Sequence, residues 1–100
     1  MEITWHEPKN QANRRKHGIR FELAQAVFED ENYLMRQDRV EGGEMRWQTI
    51  GKVNGVSSAV YLVLLVAHTV EDDGKQEIVR IISARHATKA ERQTYEAQTY

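Results

Sequence analysis

The chain has 100 residues, of which 40% are hydrophobic and 29% are charged, with a formal net charge of −1 and no cysteine. A chain of this length forms one domain around one core, so we expect residues 1–100 to make up a single soluble globular domain. Its longest apolar run, Ala59 to Ala67, is far shorter than the roughly 20 residues of a membrane span, and the N-terminus has no signal-peptide pattern. These features exclude a disulfide scaffold, a thiolate metal site and a membrane partner, and they predict a cytoplasmic location.

The charged residues are distributed unevenly along the chain. Basic residues cluster between Arg14 and Arg20 and again between Arg80 and Arg92. Acidic residues cluster at Glu29–Glu31 and Glu71–Asp73. A near-neutral protein with separated patches can present one face to a polyanion, although each cluster alone is also typical of a solvated surface.

The N-terminal part is predicted to contain a short apolar segment and two helices. Ile3–Trp5 suits an edge strand or an anchoring arm. Pro8 fits the first turn of a helix from Pro8 to Lys16, and Gly18 is suited to end it. A second helix is predicted from Phe21 to Phe28, because its apolar residues fall on one face of a 3.6-residue period.

From Tyr33 onward the sequence predicts strands joined by short turns that contain glycine or asparagine. The third strand is apolar at nearly every position, which is typical of a central strand covered on both faces. A last helix is predicted from about Thr88 to the C-terminus, with Thr88 and Glu91 as a capping box. The order predicts an α+β domain, in which helices pack on one face of a four-stranded antiparallel meander. The four expected strands are Tyr33–Val40, Met45–Lys52, Ala59–Thr69 and Gln76–Ser83.

Phosphate-binding side chains are densest where the last strand meets the last helix. Arg80 and Arg85 are the first candidates to bind a phosphate, because a guanidinium donates two parallel hydrogen bonds to its oxygens. Their odd separation would place them on opposite faces of a regular strand. Either a bulge or the helix start realigns Arg85, or only one of the two belongs to the site. We favour Arg85, which lies at the strand end.

Other polar residues allow both a functional and a structural interpretation. His68, at the end of the buried strand, could act as acid or base, or it could be a hydrogen-bonded structural histidine. Lys16 and His17 could contact phosphate, although cations are favoured at a helix C-terminus in any case. Glu91 fits a capping box better than a catalytic base. Tyr95 could stack on a base or pack on the sheet.

Four segments, in this order along nearly the whole chain, resemble the BrnT family, the toxin half of a bacterial type II toxin–antitoxin system. The family usually has Asp after the tryptophan of the first segment, where this chain has His6. The segments are Trp5-x-x-Pro8-Lys9-x-x-x-Asn13-x-x-Lys16-His17-Gly18-x-x-Phe21-x-x-Ala24, Val27-Phe28-x-Asp30, Gly43-Glu44-x-Arg46-Trp47-x-x-Ile50-Gly51 and Arg80-Ile81-Ile82-Ser83-Ala84-Arg85-x-Ala87-Thr88-x-x-Glu91-Arg92-x-x-Tyr95.

The resemblance implies a RelE-like ribonuclease fold and a metal-independent endoribonuclease, without a cofactor, that cleaves mRNA, inhibits translation and arrests growth. It also implies a hetero-oligomer with a BrnA-like ribbon-helix-helix antitoxin, through which alone the complex would reach operator DNA. The alternatives are a non-catalytic subunit of a DNA-binding repressor complex and a small RNA-binding domain without toxin activity. With RNA as substrate, the expected catalytic residues are Arg85, Arg80 and His68, and the expected RNA-binding residues are Lys16, His17, Arg46, Lys89, Arg92 and Tyr95.

Overall fold

The computed structural model describes residues 1–55 and 60–98, and no helix in this part of the chain is long and apolar enough to cross a membrane. The predicted strand start at Ala59 and the end of the last helix at residues 99–100 lie outside the described residues. The elements of the described part are β1 (Glu2–Trp5), α1 (Glu7–His17), α2 (Phe21–Ala24), a 3₁₀ helix (Gln25–Glu29), β2 (Leu34–Glu41), β3 (Glu44–Asn54), β4 (Tyr61–Asp72), β5 (Glu77–His86) and α3 (Lys89–Ala97).

These strands form one mixed sheet in the order β1-β5-β4-β3-β2. The predicted antiparallel meander is confirmed for β2 to β5. The prediction of four strands is wrong, because β1 adds a fifth strand within the described residues and pairs in parallel with β5. Ile3 and Trp5 pack on the core from this edge strand, and Trp5 meets Phe21 edge to face with ring centroids 6.1 Å apart. The edge-strand interpretation of Ile3–Trp5 is therefore confirmed.

Helices cover both faces of the sheet, so the prediction that they pack on one face is wrong. On the first face, Phe21 and Ala24 of α2 pack on alternate residues of β4, Leu64 and Val66. On the second face, Tyr95 of α3 packs on the other set, which includes Leu65. Successive side chains of a strand point to opposite faces, and a strand that is apolar at successive positions needs cover on both sides. We call the first surface, with Leu64 and Val66, the α1 face, and the second surface, with Leu65, the α3 face.

The second predicted helix is α-helical only as far as Ala24 and continues as a 3₁₀ helix. Residues three apart eclipse each other in a 3₁₀ helix, which aligns Val27 with Ala24 on the buried side. Val27 is fully buried, and its side chain lies against Gly51 of β3, where an added Cβ would be 2.9 Å from the Val27 Cβ. The 3₁₀ turn therefore brings Val27 close to Gly51, where a side chain on β3 would clash with it.

A buried asparagine of α1 bonds to the edge of β5 beyond the point where β1 ends. β1 ends at Trp5, opposite Ile81, so Ala84 has no strand neighbour on that side. The Asn13 side chain replaces that neighbour: its Nδ2 donates to the Ala84 carbonyl at 2.8 Å, and its Oδ1 accepts from the Ala84 N–H at 3.1 Å. Asn13 also donates to the carbonyl of Ile19 at 2.9 Å. The end of β5 is thereby fixed by a side chain instead of by a strand.

We predict that Asn13→Ala will destabilise the fold, because it leaves the buried N–H and C=O of Ala84 without their partner. Each buried polar group left unpaired costs about 1–3 kcal/mol, so the free energy of unfolding should fall by at least about 2 kcal/mol in urea titrations. Gln11→Ala, at an exposed position of the same helix, is the matched control and should change it by less than about 0.5 kcal/mol. Equal effects of the two substitutions would contradict this role of Asn13.

Candidate functional site

A β-bulge in β5 decides which side chains the last strand presents on each face. Ser83 pairs with Ala67, but Ile81 pairs with the next residue, His68, so Ile82 is an extra residue in β5. Because side chains alternate, one extra residue reverses the faces on its two sides. Arg80 and Arg85 therefore point to the same face, the α3 face. The bulge that the sequence analysis offered as one alternative is confirmed.

A second bulge has the same effect in β2. Val40 pairs with Met45, but Gln37 pairs with Trp47, so β2 also contains one extra residue. A regular hairpin would place Arg36 opposite Thr49, whereas the bulge places it opposite Gln48. Arg36 Nε donates to Gln48 Oε1 at 3.0 Å. Arg36 thus joins the α3 face, which the sequence analysis did not predict.

Together the two bulges gather four arginines from three strands, β2, β3 and β5, on one half of the α3 face. Gln48 lies opposite Ala67, and strand alternation places Arg46 on the same side as Gln48. Ser83, opposite Ala67, lies between Arg80 and Arg85 in β5. The α3 helix covers the other half of this face, around Leu65. We call this surface the arginine face and define it by Arg36, Arg46, Arg80 and Arg85.

Three carboxylates lie beside the arginines of the arginine face, and one of them, Glu41, is 3.8 Å from Arg46. Glu91 accepts two hydrogen bonds from the Arg85 guanidinium, at 2.7 and 3.0 Å, and lies 3.7 Å from Arg36. Glu44 accepts from Arg80 at 2.7 Å and lies 3.9 Å from Nε of Arg46. This Nε is buried and has no hydrogen-bond partner among the described residues. Each arginine of the face therefore has a carboxylate next to it, in a position that the oxygens of an anionic ligand could also occupy.

Glu91 has two structural tasks at once. It completes the predicted capping box of α3, accepting from the Thr88 N–H at 2.8 Å while Thr88 Oγ1 accepts from the Glu91 N–H at 3.2 Å. Its hydrogen bonds from Arg85 and Thr88 lower its pKa to about 2. Conversely, the hydrogen bond to Glu91 raises the pKa of Arg85. The start of α3 is thus tied to the strand end by an ion pair that stays charged at neutral pH.

His68 lies away from the arginines. It pairs with Ile81 of β5, as the sequence suggested it would approach this strand, but its side chain is on the α1 face and is fully buried. Its Nε2 is 2.7 Å from Thr49 Oγ1, its ring meets Phe28 edge to face, and burial lowers its pKa. A regular register would have placed Arg80 on the face of His68, and the bulge separates them. The geometry favours the structural interpretation of His68.

Tyr95 is packed inside the protein. It is 5% exposed, belongs to the apolar cluster under α3, and its hydroxyl donates to the Asp30 carboxylate. Burial and this hydrogen bond raise the pKa of Tyr95. Although desolvation of Asp30 acts in the opposite direction, hydrogen bonds from Tyr95 and from the Lys52 N–H lower the pKa of Asp30 overall. The position of Tyr95 fits the packing interpretation.

The remaining predicted RNA-binding residues lie outside the arginine face. Lys89 and Arg92 are exposed on α3, and Arg92 is 3.8 Å from Glu96. Lys16 and His17 are at the end of α1 and line a groove beside β5. Of the nine residues predicted for the site, the structure brings together Arg46, Arg80 and Arg85.

The sequence analysis missed Arg36, Glu44 and the ion pairs of Glu91. Glu44 stands in the third family-like segment, next to Arg46, which was a usable signal. Arg36 carried no such signal, because counting residues from the Gly42-Gly43 turn places it on the wrong face. For Glu91, the capping-box pattern already explained the residue, so its ion pair with Arg85 was not predicted.

The structure is that of a small α+β protein with four arginines on one sheet face, and a family comparison defines its class. Residues 5–91 match the model of a family described as the ribonuclease toxin, BrnT, of type II toxin–antitoxin systems. The chain belongs to the BrnT family. Its class is therefore that of toxins with ribonuclease activity, with RNA as substrate and an antitoxin as partner. No curated protein sequence matches the chain significantly.

We predict that Glu91→Gln will lower stability in a pH-dependent way. The pKa of Glu91 is lowered from 4.5 to about 2 in the folded protein, so its stabilising effect is complete above about pH 5 and is lost as the pH falls towards 2. The difference in unfolding free energy between wild type and Glu91→Gln should be up to about 3 kcal/mol at neutral pH, since one pKa unit corresponds to about 1.4 kcal/mol.

Denaturant titrations at several pH values between neutral and acid measure this difference, which should shrink as the pH falls. Glu71→Gln is the matched control, because Glu71 is an exposed carboxylate in β4. A pH-independent difference for Glu91→Gln would show that its ion pairs with Arg85 and Arg36 contribute nothing to folding.

Proposed function

We propose that the protein is a metal-independent endoribonuclease that cleaves mRNA and thereby inhibits translation, and that the arginine face is its active site. The observation that supports this site is the convergence of four guanidinium groups from three strands on one open sheet face. Guanidinium groups recognise phosphate oxygens by paired hydrogen bonds and stay charged at any physiological pH. Rigid strands hold such groups more accurately than loops do.

The chemistry of RNA allows a cleavage step without a metal ion. The 2′-oxygen attacks the adjacent phosphorus, the bond from phosphorus to the 5′-oxygen breaks, and a 2′,3′-cyclic phosphate and a free 5′-hydroxyl result. The protein must remove one proton from the 2′-hydroxyl, deliver one to the leaving oxygen and stabilise the charge that develops on the phosphate. We assign charge stabilisation to Arg85 and Arg80, with Arg36 and Arg46 orienting the phosphate chain.

Glu44 is the proposed base. A general base works best with a pKa near the operating pH, and the pKa of about 2 makes Glu91 a weak one. Glu44 lies between Arg80 and Arg46 and is partly exposed. His68 is buried on the opposite face, and we propose that it joins β3 to β4 instead of taking part in the reaction.

The carboxylates set the order of events on RNA binding. We propose that the scissile phosphate binds the edge of Arg85 that holds Glu91, and that it displaces Glu91, because both hydrogen bonds of this edge are made to that residue. The incoming phosphate then replaces one anion with another, so the arginine is already desolvated and oriented. Arg85 is thus preorganised to stabilise the charge that develops on the phosphate in the transition state.

For the partner, we propose a BrnA-like antitoxin with a ribbon-helix-helix domain, in a hetero-oligomer that binds operator DNA only through the antitoxin. The support is family membership, and the same membership supports a RelE-like fold, a single toxin domain and action in the cytoplasm. A non-catalytic repressor subunit is the alternative. It predicts that expression without a partner leaves growth unaffected, whereas the ribonuclease predicts growth arrest.

We predict that purified protein cleaves RNA in the presence of EDTA and that Arg85→Ala reduces the rate by about 10²–10³, the usual cost of removing one donor to a developing oxyanion. Glu44→Gln should reduce it by about 10²–10⁴, the usual contribution of a general base. The measurement is single-turnover cleavage of a labelled RNA by protein whose folding has been checked by circular dichroism.

Arg39→Ala is the matched control. Arg39 is also a strand arginine, but it is exposed and pairs only with Glu41 among the described residues. Its loss should leave the cleavage rate unchanged. Cleavage only with added metal ions would contradict the metal-independent mechanism. Full activity of Arg85→Ala would show that Arg85 takes no part in the reaction.

A further inference from the structure

A second cationic surface lies next to the arginine face, in a groove between α1 and the bulge of β5. The groove has a volume of about 210 Å³. Its cationic lining comes from α1, and its floor includes Asn13, the residue that holds the end of β5. The lining residues are Lys9, Ala12, Asn13, Lys16, His17, Ile82 and Ser83.

The cations of this groove differ from those of the arginine face. Lys9, Lys16 and His17 form no ion pair among the described residues, whereas each arginine of the arginine face has a carboxylate beside it. The helix dipole accounts for Lys16 and His17 at the C-terminus of α1, but it disfavours a cation at Lys9, near the N-terminus. The need for helix stability therefore explains Lys16 and His17 but not Lys9.

The groove and the arginine face are continuous. Ser83 lines the groove and also lies on the α3 face between Arg80 and Arg85. The bulge residue Ile82 lines the groove from the same strand. A strand of RNA that crosses the arginine face at Arg85 can thus continue over Ser83 and around the edge of β5 into the groove.

We propose that this groove binds backbone phosphates of the RNA that flank the cleaved nucleotide. The inference rests on the proposed ribonuclease function and deepens it. Lys9 and Lys16 contribute affinity and fix the path of the RNA strand, and they take no part in the chemical step. Such contacts are electrostatic and independent of sequence, so their signature is the salt dependence of binding.

The test is fluorescence anisotropy of a single-stranded 2′-O-methyl RNA, which cannot be cleaved through its 2′-oxygen, titrated with the full chain at several salt concentrations. Each lost phosphate contact reduces the slope of log K against log salt by about 0.7 for single strands. Lys9→Gln/Lys16→Gln should therefore reduce the slope by about 1.4. Both residues are exposed, so the variant is expected to fold.

The matched control is Arg14→Gln/Arg15→Gln, which removes the same charge from the same helix outside the groove. Its slope should stay within a few tenths of wild type. Equal slopes for both variants, or wild-type protein that does not bind the RNA, would overturn the groove. Cleavage in EDTA, together with an unchanged slope for Lys9→Gln/Lys16→Gln, would support the ribonuclease function and overturn RNA binding in the groove. The predicted slope change without any cleavage would support RNA binding in the groove but would overturn the proposed ribonuclease function.

Discussion

The position of one extra residue in β5 determines what the sheet presents to its surroundings. With Ile82 in the strand, Arg80 turns to the face of Arg85 and away from His68. In a regular strand of the same sequence, with Ile82 paired, the two arginines would lie on opposite faces, because they are five residues apart. Asn13 provides the physical support for this arrangement, because it satisfies the backbone of Ala84 just beyond the bulge. A hydrogen-bonded amide in the α1 helix thus stabilises a surface on the opposite side of the sheet.

The ion pairs of the arginine face connect its charge to the fold. An exposed ion pair contributes about 0–1 kcal/mol, but Glu91 is largely shielded from solvent and accepts both hydrogen bonds of the Arg85 fork. The same carboxylate caps α3, so the proposed displacement of Glu91 by a phosphate would remove a support of the helix start. The site and the last helix are therefore coupled. Lys9 and Lys16 form no ion pair within residues 1–55 and 60–98, and in the proposed function they would attract RNA from solution before this exchange.

The general fold could be predicted from the sequence because its signals are local. The turns at Gly42-Gly43 and Asp72–Gly74, the left-handed stop at Gly18 and the capping box at Thr88 each depend on a few neighbouring residues. The parallel pairing of β1 could not be predicted in this way, because it joins residues more than seventy positions apart. The covering of both faces was implied by the apolar run of β4, but the choice of helix for each face was not.

The site was predicted only in part for a related reason. Bulges are set by the balance of pairing and packing over whole strands, and no residue near Ile82 or between Gln37 and Val40 marks them in the sequence. A register counted from the turns therefore put Arg36 on the wrong face. His68 looked suitable for catalysis because its pKa is ordinarily near neutrality, whereas its burial against Phe28 depends on the tertiary structure.

In the proposed function, Arg36, Arg46, Arg80 and Arg85 act as one RNA-binding surface. NMR of the arginine Nε–Hε groups during titration with a non-cleavable 2′-O-methyl RNA tests this proposal. The signals of these four residues should shift together with one affinity, while that of Arg39 stays in place. Unchanged signals of the four arginines in a protein that binds the RNA would contradict it.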